Sequence, residues 1–378
     1  MRIIDRYLLR QYVQVFVICF CSLTGLFIVF HAFGNLDEFL DFAEKDGNLA
    51  TILAVYYGYQ TIYFFDLMAG TLALIAAMFT VTWIQRHNEL TALLAAGVPQ
   101  GRVMAPVIAA CVAVSLFAAA NRELIVPSIR SQLSSDPKDL AGDAGQPLQF
   151  RYDNATDVLI RGRKSYAREM RIEKPNFLMP LDLHRQAKLI AAADAIYLPA
   201  TDEHPGGYLF KRVEQPRSVD KLPSLSSRGR TLVITHMDAH EWVGPDECFV
   251  VSEVTFEQLT GGTQWQLFSS TRALIAALNS RSVDFGADVR VKIHSRLVQP
   301  LLDVTLLFLG LPLVLSRRHA NVFVAVGKTL GVVVFFMVVV LGCQYLGKNV
   351  LLSPSLSAWL PLMIFVPAAV ALSDPLRE

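Results

Sequence analysis

Gln85–Pro106, QRHNELTALLAAGVPQGRVMAP, separates two long apolar runs. It is the turn-round between two membrane spans, and it is more helical than a plain loop. Leu90, Leu93 and Leu94 recur at helical spacing, and Asn88 stands where an N-cap belongs. Ala92, Ala95 and Ala96 favour helix, and Gly97 followed by Pro99 stops the run. A short helix of about two turns is expected near residues 87–97, lying at the membrane face. Spacing alone leaves two readings open: a docking helix for a soluble partner, or a connector that touches nothing.

Working outward, Val13–Phe33 carries no charge and is long enough, at about 1.5 Å per residue, to cross a hydrocarbon core of roughly 30 Å. Met1–Gln11 before it sets Ile3, Ile4, Tyr7 and Leu8 against Arg2, Asp5, Arg6 and Arg10, the pattern of an interfacial helix. The first apolar run is too long for a cleavable signal peptide and lacks a small-residue cleavage site, so it is expected to stay as a span. Gly34–Asn48 then reads as an acidic loop, with Asp37, Glu38, Asp41, Glu44 and Asp46 against Lys45. Thr51–Ile84 exceeds one upright span; its start is aromatic, which suits an interface, and Leu67–Trp83 is its core. Val103–Ala120 is the third span, continuing into NRELIVPSIRSQL with a bend expected near Pro127. Leu297–Leu315, Val322–Leu346 and Leu356–Leu372 are the last three.

Between the two groups of spans the texture changes. Ser134–Gln146 is a linker rich in Asp, Gly, Pro and Ser. Across Pro147–Gly262, segments such as DVLIRG, KLIAAADAIYL, GYLFKRV, TLVITHM and CFVVSEVTF gather β-formers, and DEHPGG, WVGPDE and LTGG divide them. An all-β domain, sandwich-like or jelly-roll-like, is expected, closed by a short helix at Ser270–Arg281. The layout is residues 1–130 with three spans, 131–290 with the β-domain, and 291–378 with three spans. Arg2, Arg6, Arg10, Arg86, Arg102, Arg317 and Arg318 fall on one side of the spans. By the positive-inside rule both termini and the opening segment face the cytoplasm, and the β-domain faces outward.

The totals agree with a membrane protein carrying one polar domain. The 378 residues are 53% hydrophobic and 18% charged, where a soluble domain has about 25% charged residues. The net charge of +1 excludes a nucleic-acid-style basic excess. Cys19, Cys21, Cys111 and Cys343 lie in apolar runs and Cys248 stands alone in the polar region, so no disulfide framework exists there. Gly327-Lys328-Thr329 lacks the earlier glycine of a phosphate loop and lies inside a span, so Lys328 reads as a snorkelling cation. His236 and His240 sit in a strand-like context and read as solvent-facing, not as a metal pair. Asn154-Ala155-Thr156 is a sequon with meaning only in a eukaryotic secretory setting. Among charges in or near spans, Asp303 and Lys328 are internal, and Asp66 lies near an edge, where it is either functional or a hydrated helix end. No nucleophile–base set is visible, and the acids are too few for a proton-coupled carrier.

Four stretches carry a resemblance: IIDRYLLRQYVQVF, HNELTALLAAGVP, LIAAADAIYLPATDEHPGGYLFKRV, and RLVQPLLDVTLLFLGLPL with the later LSAWLPLMIF. In this order they are similar to the LptF/LptG permeases, membrane subunits of the ABC transporter that extracts lipopolysaccharide from the bacterial inner membrane. The resemblance implies six transmembrane helices with an inserted, jelly-roll-like periplasmic β-domain between helices 3 and 4. It implies a non-catalytic subunit with no cofactor of its own, ATP being bound by a separate LptB-like ATPase dimer. It further implies a second LptF/LptG-type permease, LptC/LptA-like bridge proteins in the periplasm, and lipopolysaccharide or a related glycolipid as cargo. Carried over by position, Glu89, Leu90, Leu93 and Gly97 seat a coupling helix in the ATPase groove with Arg86 beside them, and Phe27, Phe30, Phe33, Phe335 and Phe336 line the lipid cavity. The pattern departs at the outer end of the first span, where the family's lysines give way to His31, Asn35, Asp37 and Glu38. The competing expectation is a mechanotransmission or scaffold protein of ABC type that moves no lipid through its spans.

Overall fold

Long uninterrupted apolar sequence gives long helices. The computed structural model describes residues 3–134, 145–148, 150–180, 188–201, 204–217, 219–227, 229–239, 241–260, 262–279, 286–315 and 322–373. The amphipathic start and the first span are one helix, α1 (Ile3–Gly34), because no Gly or Pro stands between them. The second apolar run is likewise one 38-residue helix, α3 (Leu49–Arg86), aromatic start included. Between them lies α2 (Leu36–Asp46), where an acidic loop was expected. Leu36, Phe39 and Leu40 recur at helical spacing within that acidic run, and Phe39 is completely buried. A short α4 (Glu89–Ala95) leads to α5 (Gln100–Ala120).

The bend expected near Pro127 takes a specific form. Asn121–Ile125 is a π-helical turn, followed by α6 (Val126–Ser128) and α7 (Arg130–Leu133). Pro127 has no N–H to offer the carbonyl four residues back, and the turn before it widens. After the β region come α8 (Phe256–Thr260), α9 (Gly262–Phe268) and α10 (Thr271–Asn279). The last three spans are α11 (Ala287–Leu315), α12 (Val322–Lys348) and α13 (Pro354–Leu372). Among the described residues six helices are long and apolar enough to cross a membrane: α1, α3, the α5–α6 segment, α11, α12 and α13. The 316–321 loop with Arg317 and Arg318 lies outside the described residues.

The chain forms two compact units: residues 1–36, 50–133 and 286–378, and residues 37–49 with 134–285. In the helical unit, α11 packs on α12, α13 and α5, and α1 packs on α5. Its core joins Ala77, Val81, Met104, Val107, Leu306 and Phe365. Glycines set the closest approaches, as membrane helices require. A Cβ at Gly310 would meet Leu74 at 2.7 Å, and one at Gly347 would meet the Ser357 hydroxyl at 2.3 Å.

The β unit is an antiparallel sheet whose described strands are β1 (Gln146–Pro147), β2 (Arg151–Asp153), β3 (Val158–Ile160), β4 (Lys164–Tyr166), β5 (Arg171–Glu173), β6 (Asn176–Leu178), β7 (Leu189–Leu198), β8 (Gly207–Gln215), β9 (Leu225–Ser227), β10 (Arg230–Thr235) and β11 (Glu247–Val251). The main order is β1-β4-β5-β7-β8-β11-β10-β9. The sheet divides at β7: Leu189–Ala191 pair with β6, whereas Asp194–Ile196 pair with β5. Two arms, β5-β4-β1 and β6-β3-β2, therefore leave one long strand. Phe177, Tyr208, Phe210 and Phe249 are fully buried within this unit. Within LTGG, Leu259 and Thr260 end α8 and Gly262 begins α9, and Gly261 lies outside the described residues.

Candidate functional site

The α3–α5 turn-round is built by two left-handed residues and one short helix. Asn88 has φ +60 and makes no side-chain cap. The expected N-cap role fails because Asn88 instead absorbs the reversal of the chain after α3, a conformation Asn tolerates better than most residues. At the other end Gly97 has φ +80. Its N–H donates to the Leu94 carbonyl at 3.0 Å, and the Val98 N–H donates to the Leu93 carbonyl at 3.1 Å. This is a Schellman closure, and it needs a residue without Cβ strain at Gly97. Pro99 then stands immediately before α5.

The faces of α4 follow from its leucines. Leu90 is 6% exposed and belongs to the helical core, and Leu93, Leu94 and Val98 pack partly against it. Leu90 therefore points into its own molecule, and Leu93 is half-buried against the same core. Arg86, Thr91, Ala92, Ala95, Ala96 and Gly97 are exposed, and Glu89 is half-buried. The Tyr7 hydroxyl donates to Glu89, 3.1 Å from Oε1 and 3.0 Å from Oε2. Arg102, in the first turn of α5, pairs with Asp5 at 2.9 Å. Gln85 Nε2 donates to the Val314 carbonyl of α11 at 3.3 Å. Ile4, Tyr7, Leu8, Ile84, Glu89, Ala92 and Leu93 line a cleft of about 260 Å³ between α1 and α4. Tyr7, Asp5 and Arg102 were not singled out from the sequence. Tyr7 was visible only as part of the apolar face of an amphipathic start, about eighty positions from its partner.

The aromatic set divides. Phe30 and Phe33 are 71% and 75% exposed near the end of α1, and Phe335 is 60% exposed on α12. Phe27 is half-buried and stacks on Phe64 of α3 with centroids 5.2 Å apart. Phe336 is 3% exposed and packs 4.8 Å from Phe365. It packs α12 against α13.

Asp66, Glu123 and Asp303 are engaged within the helical unit. Asp66 accepts from Arg122 Nε at 3.0 and 3.1 Å, so it is an ion-paired group inside the helical unit rather than a hydrated helix end. Glu123 in the π turn lies 3.8 Å from Arg296 of α11. Asp303 accepts from Gln299 at 2.9 Å, and its carboxylate fills the space where a Gly70 Cβ would stand, 2.3 Å from Oδ1. Lys328 is exposed, and Gly327-Lys328-Thr329 is helical throughout, so its amides cannot wrap a phosphate. His236 bonds the Val243 carbonyl, and His240 lies outside the described residues. Among the described residues no three His, Cys, Asp or Glu side chains gather in a metal-binding group.

A family model described as lipopolysaccharide export system permease LptF/LptG matches residues 6–374, nearly the whole chain. No curated protein matches.

Proposed function

Because the chain belongs to the LptF/LptG family of lipopolysaccharide export permeases, a multi-pass family of the inner membrane, we propose that it is the membrane subunit of an ABC transporter that extracts lipopolysaccharide or a related glycolipid and hands it to a periplasmic bridge. The observation that carries this is the family match over six spans with a β-rich unit between the third and fourth. The positive-inside rule puts both termini and α4 in the cytoplasm and the β unit in the periplasm. The partners are a cytoplasmic LptB-like ATPase dimer, a second permease of the same family, and LptC/LptA-like jelly-roll proteins. The chain itself is non-catalytic, and ATP binds the ATPase.

In this reading α4 is the coupling helix. Glu89, Leu93 and Gly97 with Arg86 at the rim meet the ATPase, while Leu90 fixes the helix to its own core. Phe30, Phe33 and Phe335 face acyl chains, with Phe27 at the margin. Glu89→Arg or Leu93→Asp should reduce ATPase co-purification by roughly a hundredfold, as for a central interface residue, at unchanged membrane yield. Normal co-purification of both variants would remove the coupling role. A photo-crosslinker in place of Phe30 should capture labelled glycolipid under turnover. Capture absent with an active ATPase would favour a mechanotransmission protein that moves no lipid through its spans.

A further inference from the structure

We propose that the first turns of α1 are seated on the coupling helix, with Tyr7 as the residue that positions Glu89, so that force received at α4 passes directly into α1. This rests on the coupling role proposed above and adds the element that carries the motion onward.

The link has three parts. Tyr7 donates to both Glu89 oxygens, at the first residue of α4. Asp5 pairs with Arg102 in the first turn of α5, the helix that α4 leads into. Leu8 and Tyr12, each 1% exposed, enter the core cluster that also holds Leu90. Residues 5–12 thus hold the first residue of α4 through Tyr7, hold the start of α5 through Asp5, and share one apolar core with Leu90. Hydrogen bonds to a charged group are the stronger kind, and a hydroxyl shared by two carboxylate oxygens fixes the carboxylate's orientation.

The rest of α1 is held differently. Beyond Tyr12, Thr24 alone among its described residues is buried. Contacts to α3 there are mostly aromatic, with Phe16 and Phe20 edge-on to Phe65 and Phe27 stacked on Phe64, and a hydrogen bond joins His31 Nδ1 to the Tyr57 hydroxyl at 2.9 Å. The ring contacts slide at small cost compared with an ion pair, and the His31–Tyr57 bond is a polar tie to α3 that such a motion has to carry or break. A 32-residue helix is about 48 Å long, so a tilt of about 5° at its gripped end moves the far end roughly 4 Å. The cleft lined by Ile4, Tyr7 and Ala92 leaves room for that tilt. The outer part of α1, where Phe30 and Phe33 are exposed, would therefore follow α4.

The test uses the full chain assembled with its partner permease and ATPase in lipid nanodiscs. An environment-sensitive fluorescent amino acid replaces Val29, which is exposed on the outer half of α1. Signal is compared without nucleotide and after trapping with ATP and vanadate. In the parent the nucleotide should shift the emission. In Tyr7→Phe/Asp5→Asn the ATPase should still co-purify, and the nucleotide-driven shift should fall about tenfold, one hydrogen bond to a charged group being lost and one ion pair reduced to a neutral contact. Tyr7→Phe alone keeps the ring in the cleft and should show an intermediate loss. The swap Asp5→Arg with Arg102→Asp should restore the response relative to either single reversal at equal ATPase co-purification and equal melting temperature in the three variants; a response that follows melting temperature instead overturns the inference. A parental-size shift in the double variant with ATPase bound overturns the inference, as does a parent whose emission ignores nucleotide while the ATPase is bound. Failure of the ATPase to join the parental chain is read in the pull-down itself and overturns the coupling role, and this inference with it.

Discussion

Gly70 illustrates how far a single residue's reason can lie from its neighbours in sequence. Its missing side chain is the space taken by the Asp303 carboxylate, and a Cβ there would lie 2.3 Å from Oδ1. Gly70→Ala should lower stability by about 1–3 kcal/mol, the usual cost of overpacking, seen as a lower melting temperature in detergent. Adding Asp303→Ala should recover part of that loss, and no recovery would separate the two residues energetically. Asp66 and Asp303 were legible in the sequence as acids near or within apolar runs. Their partners were not: Arg122 is fifty-six positions from Asp66, and no periodicity links the two. Cys248 gives a second test at this scale. Burial, helped by the neighbouring Glu247 charge, pushes its thiol up to about 12. It should resist maleimide at neutral pH in the folded protein and react once the sheet is unfolded, as intact mass would show.

Among the elements, α4 was the most readable short one, and its stop was clearer than its start. Gly97 before Pro99 announces a helix end because few other residues accept a left-handed backbone. Gly97→Ala should cost about 1 kcal/mol at φ +80 and loosen the last turn. ATPase co-purification should fall, and Gly97→Asn should be the milder change; equal yields from all three chains would detach the closure from coupling. Asn88 was misread because capping and left-handed residues draw on the same residue types. α2 was read as a loop because charge outnumbers apolar residues there; among its described side chains Phe39 is the buried one. The long strands β7 and β8 were legible, whereas β2, β4, β5, β6 and β9 have three residues each. Three residues carry too little alternation to be told from a turn. Tyr7 as a partner of Glu89 was beyond reach, since amphipathicity tells which face is apolar but not what covers it.

For the whole molecule, the order of three spans, a β-rich unit and three spans was written in composition alone, because lipid and water select such different residues. The β unit should also respond to acid. Burial of Asp194 opposes its ionisation, but hydrogen bonds and charge from Arg171 and Arg212 outweigh this and hold the carboxyl below its ordinary range. A lowered acid pKa contributes stability above the unfolded value and loses it as pH falls through the folded one. Amide protection relative to the intrinsic exchange rate at β5, β7 and β8 should therefore fall in the acid window below the ordinary carboxylate range. Asp194→Asn should be less protected at neutral pH and flat across that window; an unchanged acid response would reassign it to other carboxylates. One property of the β unit reaches into biogenesis. Its residues 37–49 and 134–285 are separated in the chain by α3 and α5. The first piece leaves the ribosome early and must wait, on its own side of the bilayer, for the second. Two crossings return the chain to that side and one or three do not, so a nascent chain that skips or adds a crossing cannot complete this unit. Closure of the unit is thus a built-in parity check on membrane insertion.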